Sequence, residues 1–218
     1  MKNTLKSLIR KYAHLISRMP LLNHLSLGGT KLELGNTLML HSKVKCVGNN
    51  NSIIFRGGVI RNCRFTVRGN NNRIVVGLGT NIIEGDFWIE DDGNEITIGE
   101  NTSIYGNTHL ACIEGTKITI GNNCLFSSEI VFRTGDSHSI LNLKGERINQ
   151  SKNITIKDHV WIGNGVAVNK GVVIAENTIV GTKSVVTKAF DDQNVSIAGN
   201  PARIIKKNVN WDIDRIML

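Results

Sequence analysis

This chain has little proline, two residues in all, and few aromatics, which make up 5% of it. Its turns must therefore come from other residues, and there is no base-stacking platform for nucleic acid. No nucleic-acid-binding motif is found either. No apolar run approaches the roughly 20 residues that cross a bilayer. The four cysteines, Cys46, Cys63, Cys112 and Cys124, form no Cys-x-x-Cys pair and stand near no histidine at zinc-ligand spacing. Neither a disulfide scaffold nor a zinc site is expected. The first residues lack a signal peptide's apolar core and small-residue cleavage site, which predicts a cytoplasmic chain with free, mostly buried thiols.

What the chain does have is 40% hydrophobic residues over 218 positions, enough for a substantial core in one to one and a half domains. Glycine stands at 22 and asparagine at 26. Both tolerate left-handed backbone conformations, so the chain turns often and tightly and long helices cannot dominate it.

Aliphatic or aromatic residues recur at every sixth position, at Ile98, Ile104 and Leu110, then at Ile120, Phe126 and Phe132. After a gap the spacing resumes through Ile156, Ile162, Val168, Ile174, Val180 and Val186. A period of six fits neither a helix nor a long alternating strand; it fits short strands joined by corners and coiled into a prism. A longer period agrees, because similar segments begin at Ile53, Ile74, Ile96 and Ile118, 21, 22 and 22 residues apart. The step from Ile118 to Ile154 is 36, and the excess falls between Phe132 and Asn153, a polar stretch holding Gly135, Asp136, Ser137 and His138. One coil throws out a loop there, and loops on rigid scaffolds are where function is usually mounted.

The predicted organisation is an amphipathic N-terminal helix and lead-in over residues 1–44, a solenoid over 45–190 with a loop at about 133–153, and a C-terminal cap over 191–218. The helix is expected at residues 3–18, with Leu5, Leu8, Ile9, Tyr12, Leu15 and Ile16 as its apolar stripe opposite Lys2, Lys6, Arg10 and Lys11. Near the other end, Gly199-Asn200-Pro201-Ala202-Arg203 reads as a turn, followed by the basic pair Lys206 and Lys207 and an apolar tail from Trp211 to Leu218.

Three segments beyond the hexads carry a resemblance. They are Asp136-Ser137-His138-Ser139-Ile140, His159-Val160-Trp161-Ile162-Gly163, and Val180-Gly181-Thr182-Lys183-Ser184-Val185-Val186 taken with Ala198-Gly199-Asn200-Pro201-Ala202-Arg203. Over residues 45–207 the chain resembles the hexapeptide-repeat acyltransferases, and is most similar to the branch that O-acetylates capsule, O-antigen or other bacterial surface saccharides. The resemblance implies an all-β, left-handed parallel β-helix, acetyl-CoA as acyl donor, a saccharide acceptor, and a homotrimer with active sites between subunits. No metal is expected, because the histidines and cysteines lack metal-ligand spacing.

Moving an acetyl group onto a sugar hydroxyl needs a base, and a histidine titrates near working pH. His138, on the loop, is the candidate, with Asp136 or Ser139 orienting its ring; a turn-capping role for Asp136 is the equal alternative. Trp161 stands one residue before a hexad aliphatic and should point outward. The resemblance puts it at the coenzyme and acceptor site, the alternative being an interface aromatic. The backbone from Gly163 to Gly165 could offer an amide to the developing oxyanion. Gly181 and Thr182 would meet the pantetheine arm, and Lys183, Arg203, Lys206 and Lys207 the coenzyme phosphates, a solvated surface being the alternative for the two lysines. No covalent nucleophile stands out, Cys112 and Cys124 reading as interior thiols, so direct attack in a ternary complex is expected.

Two other functions fit the same residues, N-acetylation of an amino sugar nucleotide on the same scaffold and a non-catalytic binding solenoid. A zinc site built from His109, His138 and His159 is disfavoured by gaps of 29 and 21 residues. The formal charge of +8 lies mainly in residues 1–45, which carry +7. Residues 1–18 are therefore a candidate contact for an anionic membrane, a solvated helix face being the plainer alternative. Arg56, Arg61, Arg64, Arg68 and Arg73 come with no acid until Glu84, and on one face they would suit an anionic saccharide.

Overall fold

All twelve hexad positions from Ile98 to Val186 turn into one shared core and are buried. The structure, a computed structural model, describes residues 12–217. Short strands of successive coils pair in parallel into three sheets of eight, seven and nine strands, the faces of a prism. Sheet A runs from Asn23–Ser26 to Val185–Val186, and sheet B from Gly29–Glu33 to Val173–Ile174. Sheet C runs from Asn36–Leu40 to the strand Val195–Gly199, which turns back antiparallel as Ala202–Lys207. The long repeat is visible as a column, Ile53 on Ile74 on Ile96 on Ile118 on Ile154.

The prism tapers. In sheet A the strands Gly85–Glu90 and Thr108–Ile113 have six residues, whereas Ala167–Val168 and Val185–Val186 have two. The extra residues of the 22-residue coils thus widen sheet A and its following corner. A close-packed interior leaves no room for voids, so the wider section needs larger fillers. Phe65 stacks on Phe87 at 4.5 Å between ring centres and meets Phe55 edge-on at 5.3 Å. The narrow end closes on Val168 and Val186.

Corners explain the asparagine. Between sheets B and C the same turn position is held with positive φ by Gly79, Asn101, Asn123, His159 and Asn177. Between sheets A and B, buried side chains replace the missing strand ladder. The Asn72 amide donates to Asn51 Oδ1 at 2.9 Å, the Asn94 amide to Asn72 Oδ1 at 2.8 Å, and the Thr116 amide to Asn94 Oδ1 at 3.1 Å. Thr116 Oγ1 then donates to Thr134 Oγ1 at 2.7 Å. The series stops at Thr134, where the chain leaves the prism as the loop, and resumes its coil with Asn153, whose Oδ1 accepts from the Lys117 amide at 2.9 Å.

The coils begin at Asn23 rather than near residue 45, because the inward apolar residues Leu34, Met39 and Val44 are five residues apart, not six, and stand among the buried polar residues Thr30, Thr37 and Ser42. Beyond Phe190 the solenoid continues through the buried Ile197. The helix spans Ala13–Ser17 among the described residues, and the remainder of the expected 3–18 helix, with Leu5, Leu8 and Ile9, lies outside them. It buries Ala13 and Ser17 and leaves Tyr12 and Leu15 exposed. Capping the open end of the prism calls for close approach and hydrogen bonds, here Ser17 Oγ to Thr37 O at 2.9 Å and the Met39 amide to Ser17 Oγ at 2.8 Å. The five arginines do not share a face: Arg64 and Arg68 stand on sheet A, Arg73 on B, Arg61 on C and Arg56 at the corner between B and C.

Asn94→Ala removes the acceptor of the Thr116 amide and a donor to Glu90 O at 2.8 Å. Each orphaned partner costs roughly 1–3 kcal/mol. A urea titration is expected to show a midpoint lowered accordingly, and an unchanged midpoint would deny the corner bonds this weight.

Candidate active site

The loop that starts after Thr134 is held by a buried asparagine. Asn149 Nδ2 donates to His138 O at 2.7 Å and to Asp136 Oδ2 at 2.8 Å, while its Oδ1 accepts from the Ile140 amide at 2.8 Å and Arg147 Nε at 3.1 Å. Two ion pairs tie this knot to the prism. Arg147 meets Glu114 at 2.7 Å, and Lys170 meets Asp136 at 2.5 Å. The Arg147 guanidinium, followed by a 2.6 Å bond from Ser151 Oγ, holds the Glu114 carboxyl down from 4.5 to about 2. Lys170, then Asn149, hold Asp136 below the usual carboxylate range.

His138 sits at the start of this loop, after Ser137 in the left-handed region. Its carbonyl is pinned by Asn149, and its side chain is exposed. Among the described residues none bonds its ring, and the Asp136 carboxylate is engaged by Lys170 and Asn149. Beside the root of the loop, a groove of about 280 Å³ is lined by Arg133, Gly135, Asp136, Asn169 and Lys170.

Trp161 points outward from sheet C, 39% exposed. Trp211 of the C-terminal tail lies 6.1 Å from it and stacks almost flat on His159 at 4.3 Å, donating its indole N–H to His159 O at 2.9 Å. His159 is a corner residue with its Nδ1 2.9 Å from Asn177 Oδ1.

The coenzyme candidates fall on adjacent coils. The Gly163 amide donates to Val180 O at 2.8 Å and the Gly181 amide to Ile197 O at 2.8 Å. A Cβ at Gly163 would come within 2.9 Å of the Thr182 nitrogen, and one at Gly181 within 2.9 Å of Ala198 Cβ, so both positions need glycine for close approach. The Gly165 amide is bound to Ser128 O at 2.9 Å. Of the three amides considered for the oxyanion, that leaves Asn164's without an acceptor among the described residues. Lys183 has positive φ and pairs with Glu129 at 3.1 Å. Arg203 lies opposite Ala198, Lys206 opposite Ser196, and Lys207 pairs with Asp192 at 2.8 Å.

Within one chain these groups form two separate clusters. The loop with His138 leaves the corner between sheets A and B, whereas Trp161 stands on C by its corner with B, so the face of sheet B lies between them. His109 is on sheet A, 2.9 Å from Asp86, and His159 is at the corner between sheets B and C; among the described residues no group of three or more His, Cys, Asp or Glu side chains is placed to hold a metal ion. Nothing in the sequence marks Asn149, Arg147, Glu114, Lys170 or Trp211 as part of these clusters, since none occupies a hexad position.

No family model matches the chain. Over 90 residues it is 34% identical to the polysialic acid O-acetyltransferase of Escherichia coli O1:K1 / APEC, covering 41% of this chain and 29% of that protein. It is 46% identical over 54 residues to the galactoside O-acetyltransferase of Escherichia coli (strain K12), covering 25% and 26%. The aligned part thus spans little more than a quarter of the length of these curated relatives. The crystal structure of the polySia specific acetyltransferase NeuO matches with a TM-score of 0.79 at 30% identity, covering 90% of this chain and 84% of that one. The chain belongs to the hexapeptide-repeat acetyltransferases. The polysialic acid O-acetyltransferase OatWY matches this acetyltransferase with a TM-score of 0.68 at 28% identity over 89% and 93% of the two chains. The fold that the resemblance implies, an all-β, left-handed parallel β-helix, is the fold of this family member.

The depressed Glu114 and Asp136 carboxyls set a pH window. A carboxyl lowered in the folded state stabilises above its ordinary value and loses that contribution as pH falls toward the folded one. Followed by NMR from pH 4.5 to about 2, the loop amides of Ile140 and Ile148 are expected to leave their folded shifts while that of Ile162 holds. Exposed ion pairs are worth little, so global unfolding should not accompany the change. Loop signals that stay put over this range would contradict it.

Proposed function

We propose that this acetyltransferase moves an acetyl group from acetyl-CoA to a hydroxyl of a bacterial surface saccharide, with His138 as general base. The observation that carries this reading is the pinned His138 backbone with its exposed imidazole, in a chain whose curated relatives are O-acetyltransferases. The relatives favour O-transfer over the N-transfer alternative, and membership in an acetyltransferase family favours catalysis over a passive solenoid.

Acetyl-CoA is the donor substrate and supplies an activated thioester carbonyl. His138 takes the proton of the acceptor hydroxyl as that oxygen attacks the carbonyl carbon. The new C–O bond forms, the C–S bond breaks, and the coenzyme thiolate recovers the proton from the imidazolium, which leaves His138 neutral for the next turnover. The Asn164 amide is suited to the carbonyl oxygen as it gathers charge, because the amides on either side are already committed. Trp161 offers an indole face to the coenzyme and acceptor. Gly163, Gly181 and Thr182 line the pantetheine path, and Lys183, Arg203, Lys206 and Lys207 supply cations for the phosphates. Asp136 acts on His138 through Asn149, which bonds both the Asp136 carboxylate and the His138 carbonyl. Transfer takes place in the cytoplasm.

The separation of His138 from Trp161 supports a site completed by a second copy, in a homotrimer. His138→Ala is expected to lower kcat by roughly 10²- to 10⁴-fold with little change in KM for acetyl-CoA, assayed on capsular and O-antigen saccharides. Undiminished turnover would remove His138 from the mechanism. His138→Ala and Trp161→Ala proteins, each inactive alone, are expected to regain activity when unfolded and refolded together. Mixed trimers that stay inactive would place both groups in one chain's site.

A further inference from the structure

The outer face of sheet A carries a concavity that the acetyl-transfer chemistry does not use. It measures about 260 Å³, and its floor is the small residue Ala111. In the register of the sheet, Trp88 stands on one side of Ala111 and Arg133 on the other. His109 borders it, as do the loop residues Gly135 and Ser137, so His138 is one residue beyond its rim. A second groove, the one beside the loop root, shares Arg133 and Gly135 with it.

Two of the side chains around this floor, Trp88 and His109, are held by neighbours before any ligand arrives. The Arg68 guanidinium lies over the Trp88 ring at 4.9 Å, and the indole N–H reaches Glu90 Oε2 at 3.3 Å. His109 Nδ1 is held 2.9 Å from Asp86 Oδ2, so Nε2 is the ring nitrogen left for a ligand. That contact is the first cause of an Asp86 carboxyl below its ordinary range. Arg133 is exposed and has no partner among the described residues. A rigid indole, an imidazole with a spoken-for nitrogen and an unpaired guanidinium around an apolar floor suit one ligand chemistry well. A sugar ring lays its C–H face on an aromatic ring, its hydroxyls bond planar polar groups, and a carboxylate on the ring takes two parallel bonds from an arginine.

We propose that this depression, bounded by Trp88, His109 and Arg133, binds a carboxylate-bearing sugar unit of the acceptor and so selects acidic glycans. The inference rests on the saccharide-acetylating reading above for its purpose, but the binding can be measured without turnover. Arg133 recognises the carboxylate, Trp88 carries the ring, and His109, positioned by Asp86, bonds a hydroxyl. Because the depression adjoins the loop root, the unit bound there lies next to the one presented to His138.

The test is calorimetric binding of tetragalacturonate and tetrasialate, each against neutral galactotetraose, to the full-length wild type, Arg133→Gln, Trp88→Ala and Trp88→Phe, with melting curves as the check on folding. At least one acidic oligomer is expected to bind the wild type more tightly than the neutral one. Arg133→Gln should weaken that binding by about tenfold to a hundredfold, Trp88→Phe should retain more of it than Trp88→Ala, and coenzyme binding should not move. Equal binding of neutral and acidic oligomers, no binding of either acid, or an unaffected Arg133→Gln would overturn the proposal. A parallel loss of coenzyme affinity in the Arg133 and Trp88 variants would also overturn it, by assigning the depression to the nucleotide. If acidic oligomers bind as expected but no acetyl is transferred, the proposed function fails and the subsite stands.

Discussion

A chain that turns a corner loses the ladder of backbone hydrogen bonds that each face supplies, and a buried amide without a partner is costly. This constraint governs the molecule. Between sheets A and B it is met from within by the stacked series Asn51, Asn72, Asn94, Thr116 and Thr134, each side chain closing the turn of its neighbour. The series also fixes where the scaffold can open. Its last member, Thr134, is the last residue before the loop, so the insertion leaves from a corner that is closed by side-chain hydrogen bonds.

The loop itself is located by hydrogen bonds more than by charge. Glu114 with Arg147 and Asp136 with Lys170 are exposed pairs of the kind worth about 0–1 kcal/mol each. Asn149 is buried, and its amide joins the Asp136 carboxylate, the His138 carbonyl, the Ile140 amide and Arg147. The ion pairs fasten the knot to the prism, and the asparagine ties it. Holding His138 through its backbone carbonyl leaves its ring free of the knot.

How much of this was legible in the sequence depended on which face a residue serves. Ile162, Val168 and Ile174 announce themselves because an interior position every six residues admits only apolar side chains, so the narrow half of the prism could be read directly. In the first coils the inward apolar residues Leu34, Met39 and Val44 follow one another at five residues instead of six, and buried Thr30, Thr37 and Ser42 look like surface residues, so the solenoid starts about a coil before its sequence period does. The loop was found from its excess length and His138 from its motif. Asn149 was not, since one asparagine among 26 carries no mark of its burial. Trp211 packs on His159 across 52 residues of chain, a distance no local pattern spans. The arginines were adjacent in sequence and dispersed in space, because a coil of 22 residues visits all three faces.

All four cysteines are free and buried, and burial pushes the thiols of Cys63 and Cys124 up to about 11. At neutral pH those two are present almost wholly as unreactive thiols shielded from solvent. The wild-type chain is thereby its own cysteine-free background for chemistry: a single cysteine introduced on the exposed hairpin of the loop would be the one thiol that a spin label, fluorophore or crosslinker can reach, with no need to strip the core of its native sulfur.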